Sequence, residues 1–247
     1  TTFESVDIKS RIWVSHGKSV VSADTSELWK ADEPHIVDAE RRERVLRIMK
    51  MRQTPESNNL VIPYQKVSPA SARSIRKQLQ LDDRLFTVLI SPNVPFDAVF
   101  YSDGRQIFSG MWEWLVESCR ELSRRSDCQV VVRCHPAEPY YDTKETARAL
   151  LNEFLPNLPE HIHIVAPTDR ISTYSIMEVS DLGVIFASTT GLEMALRGIP
   201  VVCGNPSQHS NRKGFTIDPD TREEYFGAID RVLKSPKEGR LTDMQVE

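Results

Sequence analysis

The sequence predicts an α/β fold: a doubly wound parallel sheet with helices on both faces, carrying an N-terminal hairpin and helical extension. Three observations carry this expectation. Five short apolar runs recur between residues 85 and 203, and they are continuous rather than alternating in hydrophobicity, as strands covered on both faces should be. Segments with helical spacing separate them, so strands and helices alternate along the chain. Polar and glycine-bearing residues gather just after the runs, where an open parallel sheet places its ligand-binding loops.

Residues 1–82 read as the extension. Arg11-Ile-Trp-Val14 and Ser19-Val-Val21 flank His16-Gly-Lys18 and suggest two short strands about a turn. Gly17-Lys18-Ser19 is no Walker loop, because Ile12 stands where that motif needs its first glycine. A helix follows over about 38–52. Arg41, Arg42, Arg44, Arg47, Lys50 and Arg52 lie opposite Val45, Leu46, Ile48 and Met49, and are read as its solvated face. The polar stretch Thr54–Asn59 and a helix from Ala70 to Leu79 complete this region.

Residues 83–240 read as the α/β domain. Its strands are expected at Leu85–Ile90, Gln129–Arg133, Ile162–Val165, Leu182–Ala187 and Pro200–Cys203. The first connecting helix, Met111–Arg124, sets Met111, Leu115, Cys119 and Leu122 near one face. A second, Thr143–Phe154, follows Asp142 as its cap. Shorter helices are expected at Ser172–Ser180 and Thr190–Arg197, and a last one opens at the capping box Thr221-x-x-Glu224.

Composition narrows the function classes. With 40% hydrophobic and 27% charged residues the chain is of ordinary globular type. A net charge of −4 gives it no general attraction for nucleic acid. No apolar run is long enough for a transmembrane helix. The start, Thr1-Thr-Phe-Glu4, has neither an initiator Met nor a signal-like core, and we expect a piece of a longer protein. Cys119, Cys128, Cys134 and Cys203 form no CxxC pair and fit buried thiols of a reducing cytoplasm. His161-Ile-His163 is half of a metal motif at most and is read as a strand face, so no metal is expected.

The chemistry gathers at the strand ends. Arg133-Cys-His-Pro-Ala-Glu138 follows the second strand, and Ser172 and Tyr174 lie after the third. Ser188-Thr-Thr-Gly-Leu-Glu193 follows the fourth, and the loop containing His209, Arg212, Lys213 and Gly214 follows the fifth. Pooled on one rim, these side chains supply cations and hydroxyls around carboxylates, which suits a phosphorylated polyhydroxy ligand. Hydroxyls and backbone N–H groups of the Ser188 turn suit a phosphate, and Glu193, one helical turn on, suits ribose hydroxyls. Thr190-x-x-Glu193 is equally a capping box, and the two readings stay open. His135 before Pro136 also reads as a strand-end cap, and Ser172 and Ser175 as caps of a short helix.

Pro92-Asn-Val-Pro-Phe-Asp97, Glu113-Trp-Leu115, Arg133-Cys-His-Pro-Ala-Glu138, Ser172-Thr-Tyr174, Ser188-Thr-Thr-Gly-Leu-Glu193, Gly198-Ile-Pro-Val-Val202 and Lys213-Gly-Phe215 occur in this order. In that order the chain resembles bacterial capsule polysaccharide biosynthesis proteins, including the Kdo transferases of capsule assembly, over roughly residues 85–235. The resemblance implies the Rossmann-like, C-terminal nucleotide-sugar-binding half of a glycosyltransferase with the two-domain GT-B fold, its acceptor-binding domain lying outside this chain. It implies transfer of a sugar from a nucleotide-sugar, such as CMP-Kdo or a similar CMP-sugar, to a capsule or surface polysaccharide. No cofactor beyond that substrate is implied. The implied partners are the donor and a glycan or glycolipid acceptor, with peripheral association to a capsule assembly complex at the cytoplasmic face of the inner membrane.

By the same resemblance, His135 lies near the donor phosphate and Ser188, Thr189, Thr190 and Gly191 cradle it. Glu193 meets the ribose, and Arg133 or Lys213 neutralises the leaving nucleotide. Arg133, His135, Ser172, Tyr174, His209, Lys213 and Gly214 complete the binding set. His135 and Glu138 are the catalytic candidates, with Asp97 as a further base. Phe96 and Ser210 depart from the Trp and Tyr expected in the relatives, which bears on the donor sugar. Two alternatives remain. Nucleotide-sugar 2-epimerases favour a Ser-Gly-Gly-x-x-Glu-Glu turn that Thr189-Thr190 fits poorly; a non-catalytic nucleotide-sugar-binding module is the other.

Overall fold

The computed structural model describes residues 2–5, 12–15, 38–54, 67–94, 106–141, 146–207 and 214–235. Two strands, β1 (Thr2–Ser5) and β2 (Ile12–Ser15), pair antiparallel with Thr2 opposite Ser15. β2, expected at Arg11–Val14, thus pairs with a strand ahead of it, and the expected partner Ser19–Val21 lies outside the described residues. Thr2-Phe-Glu-Ser5 is a short run compatible with a strand that carries no turn signal of its own. Helix α1 (Ala39–Gln53) begins at Asp38, whose carboxylate accepts the Arg41 N–H at 2.8 Å. It has no buried residue, and Val45 and Leu46 are exposed. Helix α2 (Ala72–Gln78) is capped by Ser71.

The sheet strands are β3 (Phe86–Ser91), β4 (Cys128–Arg133), β5 (Ile162–Val165), β6 (Leu182–Ile185) and β7 (Val201–Cys203). All neighbouring pairs are parallel, in the order β5-β4-β3-β6-β7. Counted from β3 as first, this is 3-2-1-4-5, the Rossmann-like doubly wound order with its direction reversing between β3 and β6. Ile217 extends it by one residue, bridging parallel to Val202.

Alternate strand residues point to opposite faces, and the core divides accordingly. On one face Val88, Ile90, Val130, Val132, Val184 and Val202 meet α3 (Met111–Ser123), α4 (Ala147–Phe154) and α7 (Arg222–Lys234). On the other, Leu89, Val131, Ile185, Val201 and Cys203 meet α2, α5 (Thr173–Met177) and α6 (Thr190–Ala195). Ile75 and Leu81, both ahead of residue 83, belong to this second core. All four cysteines are buried and free.

Local signals position the helices. α4 starts at Ala147 with the Thr146 hydroxyl accepting the Ala149 N–H; Asp142 and Thr143, where the helix is expected to open, lie outside the described residues. A hydroxyl three residues ahead of a free N–H is a good helix cap. α7 forms the expected box in shifted form: Thr221 Oγ1 accepts the Glu224 N–H, and the Glu224 carboxylate accepts from Asp220. α6 ends in a Schellman turn, with Ile199 N–H bonded to Met194 C=O and Gly198 N–H to Ala195 C=O. That turn needs the left-handed backbone of Gly198 (φ 71°) and feeds the chain straight into β7. No helix among the described residues is long and apolar enough to cross a membrane.

Candidate functional site

Strand register sets the rim. Arg133 pairs with Val165, Ser91 with Ile185 and Ile185 with Cys203, so the loops leave the carboxyl ends of the strands at one level. The reversal of order between β3 and β6 opens the crevice in which such sheets bind ligands. Asn93 after β3 and Ser188 after β6 flank it. Asn93, buried, accepts the Ala187 N–H on Oδ1 at 3.2 Å and ties the two strand ends together. Asn205 N–H, beyond β7, donates to Phe186 C=O at 3.0 Å and fixes the next loop to the same strand end.

The Ser188 turn is built as a compact loop. Ser188 Oγ donates to Thr190 Oγ1 at 2.9 Å and accepts the Thr190 N–H at 3.2 Å. Thr189, exposed, caps α6 with helical backbone angles and no side-chain bond. The N–H groups of Ser188 and Thr189 donate to nothing among the described residues. Gly191 is buried inside α6. The capping box of Thr190 and Glu193 does not form, because the cap position falls on Thr189.

Glu193 is held by two donors from other elements. Its Oε1 accepts the Arg52 Nε–H at 2.6 Å and the Tyr174 hydroxyl at 3.2 Å, and its side chain is only 9% exposed. Arg197 braces this group from behind: its Nη1 donates to the Glu193 carbonyl at 2.8 Å, and its guanidinium lies 5.3 Å from the centroid of the Tyr174 ring. Burial and the neighbouring Glu193 carboxylate push the Tyr174 phenol well above its ordinary range, so it stays a donor.

Two strands away from the Ser188 turn, roughly 10 Å by sheet spacing, Cys134–Glu138 forms a second cluster. His135 Nδ1 accepts the Ala137 N–H at 3.1 Å, Glu138 Oε1 accepts the His135 N–H at 3.2 Å, and Glu138 N–H donates to His135 C=O at 3.1 Å. The strand-end cap foreseen for His135 is thus real, and it places the proton of the neutral ring on Nε2. Burial, reinforced by the Arg133 charge, pulls the His135 pKa down to about 4. Burial pushes Glu138 up to about 7 against the backbone N–H groups and Arg133 that hold it down. Near neutrality the carboxyl is therefore the titrating group of the pair.

Arg133 is buried beneath the rim. Its Nη1 donates to Ala166 C=O, while Nε has no partner among the described residues. Burial lowers its pKa. Its charge helps to hold the Glu138 pKa down. Ser172 is buried, its carbonyl accepting the N–H groups of Ser175 and Ile176. Ser175 caps nothing: its hydroxyl accepts the Ala70 N–H at 2.7 Å. Gly214 is exposed with φ 85°. Phe96, Asp97, His209, Ser210, Arg212 and Lys213 lie outside the described residues. His161, at the outer strand, bonds Leu122 C=O at 3.2 Å.

The structure thus joins Tyr174 to Glu193, Ser188 to Thr190 and His135 to Glu138, on one rim. It adds three residues that the sequence reading did not single out as site residues. Asn93 sits at the reversal of strand order, a signal that the topology rule would have supplied. Arg52, expected on the solvated face of its helix, instead bonds Glu193 and is partly buried. Arg197 gives no sequence signal. A separate cavity of about 300 Å³, lined by Met177, Glu178, Asp181, Arg197 and Gly198, opens at the opposite edge, by the amino ends of β6 and β7.

No protein-family model matches the sequence. No curated protein matches it. Among solved structures, the chain is similar to the UDP-GlcNAc 2-epimerase from Neisseria meningitidis bound to UDP-GlcNAc, at 12% identity and a TM-score of 0.48, over 70% of this chain and 43% of that one. It is similar to the beta Kdo 2,4 transferase KpsC of Thermosulfurimonas dismutans at 13% identity and a TM-score of 0.45, over 85% and 54%. It is also similar to the wall teichoic acid polymerase TagF at 13% identity and a TM-score of 0.41, over 71% and 41%. The chain spans between 41% and 54% of the length of these three proteins.

Proposed function

We propose that the chain is the nucleotide-sugar-binding half of a GT-B-type glycosyltransferase, moving sugar from a nucleotide-sugar such as a CMP-sugar to a capsule or surface glycan at the cytoplasmic face of the membrane. The observation that carries this reading is the crevice between β3 and β6. There a hydroxyl-rich turn, two of whose N–H groups donate to nothing among the described residues, lies one helical turn from a buried, oriented carboxylate. In this reading Ser188, Thr189 and Thr190 hold the donor phosphate. With α6 only six residues long, the loop N–H groups and hydroxyls do this rather than a helix dipole. Glu193 accepts a ribose hydroxyl.

During transfer the bond from the anomeric carbon to the phosphate oxygen breaks as the acceptor oxygen bonds to that carbon. The nucleotide leaves with the electron pair, and the acceptor hydroxyl proton passes to a base. Neutral His135 supplies an N–H donor toward the leaving phosphate. Glu138, half-ionised near neutrality, is the acid–base candidate on this half.

Calorimetric titration with CMP, UDP and GDP tests the reading. One of the three is expected to bind saturably, and Glu193→Gln should cost roughly tenfold or more in affinity, the size of a hydrogen bond to a charged group. Folded protein that binds none of them removes the nucleotide reading.

A further inference from the structure

Arg52 stands at the C-terminal end of α1, outside both cores, yet its Nε–H donates at 2.6 Å to the carboxylate on which the nucleotide reading turns. We infer that Arg52 and Tyr174 clamp Glu193 so that its second oxygen, Oε2, is presented to a ligand hydroxyl, making Arg52 a positioning residue of the nucleotide site. The inference rests on the nucleotide reading given above.

The two carboxylate oxygens are treated differently. Oε1 receives two donors, one from α1 and one from α5, which together use its lone pairs. Oε2 accepts no hydrogen bond among the described residues, although the side chain is nine-tenths buried. Buried carboxylate oxygens are normally filled, so an open one is a place for a hydroxyl donor. Two donors from separate elements also stop the carboxylate from rotating, and Arg197 holds Tyr174 and the Glu193 backbone in register with them. The Arg52 charge has a second effect. It offsets the Glu193 charge, which would otherwise repel a phosphate seated at the Ser188 turn.

The test compares whichever of CMP, UDP and GDP binds with its 2′,3′-dideoxy counterpart, by calorimetry, in wild type, Arg52→Gln, Arg52→Lys and Tyr174→Phe. Wild type should prefer the ribonucleotide by roughly tenfold or more, as for a hydrogen bond to a charged group. Arg52→Gln should bring that preference to within a factor of about three, while the dideoxynucleotide loses less. Arg52→Lys keeps the charge without the guanidinium geometry and should retain part of the preference. Tyr174→Phe removes one donor, should weaken the preference partly, and serves if the Arg52 variants fail to fold. Equal losses for both ligands in Arg52→Gln would reduce Arg52 to a general charge and overturn the clamp. A wild type that binds nucleotide without preferring ribose overturns the clamp and leaves the nucleotide reading standing. A wild type that binds neither ligand removes both.

Discussion

At the scale of single residues, burial moves His135 and Glu138 in opposite directions, and each shift has a signed consequence for stability. Glu138 titrates near pH 7 in the folded chain, above its ordinary value of 4.5. Across that window the folded state holds a proton that the unfolded chain has released, so this group makes stability fall as pH rises. His135 titrates near 4, below its ordinary 6.5. Between those values the unfolded chain binds a proton that the folded one refuses, so this group makes stability rise with pH. Glu138→Gln should therefore gain melting temperature relative to wild type progressively from pH 5 to pH 8. Thermal melts of the two proteins across that range check this, and a constant difference would mean that Glu138 is ionised normally in the folded state.

At the scale of elements, α3 and α7 are locked to each other through one buried polar cluster. Trp114 Nε1–H donates to the Tyr225 hydroxyl at 2.7 Å, and Ser118 shares that hydroxyl at 2.7 Å. Gly204 follows β7 directly beneath the indole, and a Cβ there would lie 2.2 Å from it. Since Trp114 is fully buried, it cannot swing away, and Gly204→Ala should cost about 1–3 kcal/mol of overpacking, read as a shift of the urea midpoint. An unchanged midpoint would mean that the indole has room to move. Most elements here were legible because their signals are local. Continuous apolar runs located all five sheet strands, and the Thr221 box located the last helix. Where local signals were weak the outcome was open: Thr146 caps the described start of α4, and β2 pairs with the strand before it. The role of Glu193 was illegible for a different reason. In sequence Thr190-x-x-Glu193 is identical to a capping box, and the contact that decides otherwise spans 141 positions, to Arg52. No periodicity encodes such a pairing; only the packing of α1 near α5 and α6 creates it.

At the scale of the whole molecule, the reversal of strand order decides where the chemistry gathers, and Asn93 holds that place together. Asn93→Ala would leave the Ala187 N–H without its acceptor in a buried setting. We expect a loss of about 1–3 kcal/mol in stability, with weaker nucleotide binding because the two sides of the crevice are no longer tied. Denaturant unfolding and titration of the same variant check both, and stability lost without any change in affinity would confine Asn93 to a structural role. That the residues after each strand share one rim was legible from the parallel topology alone; which of them meet was not. The lone bridge at Ile217 has a consequence for assembly. Ile217 accepts the Cys203 N–H and donates to Val201 C=O, occupying the outward main-chain groups of a three-residue border strand. A visiting chain therefore finds no ladder to extend on that flank, and any companion domain or second copy must engage there through side chains instead of by adding a strand.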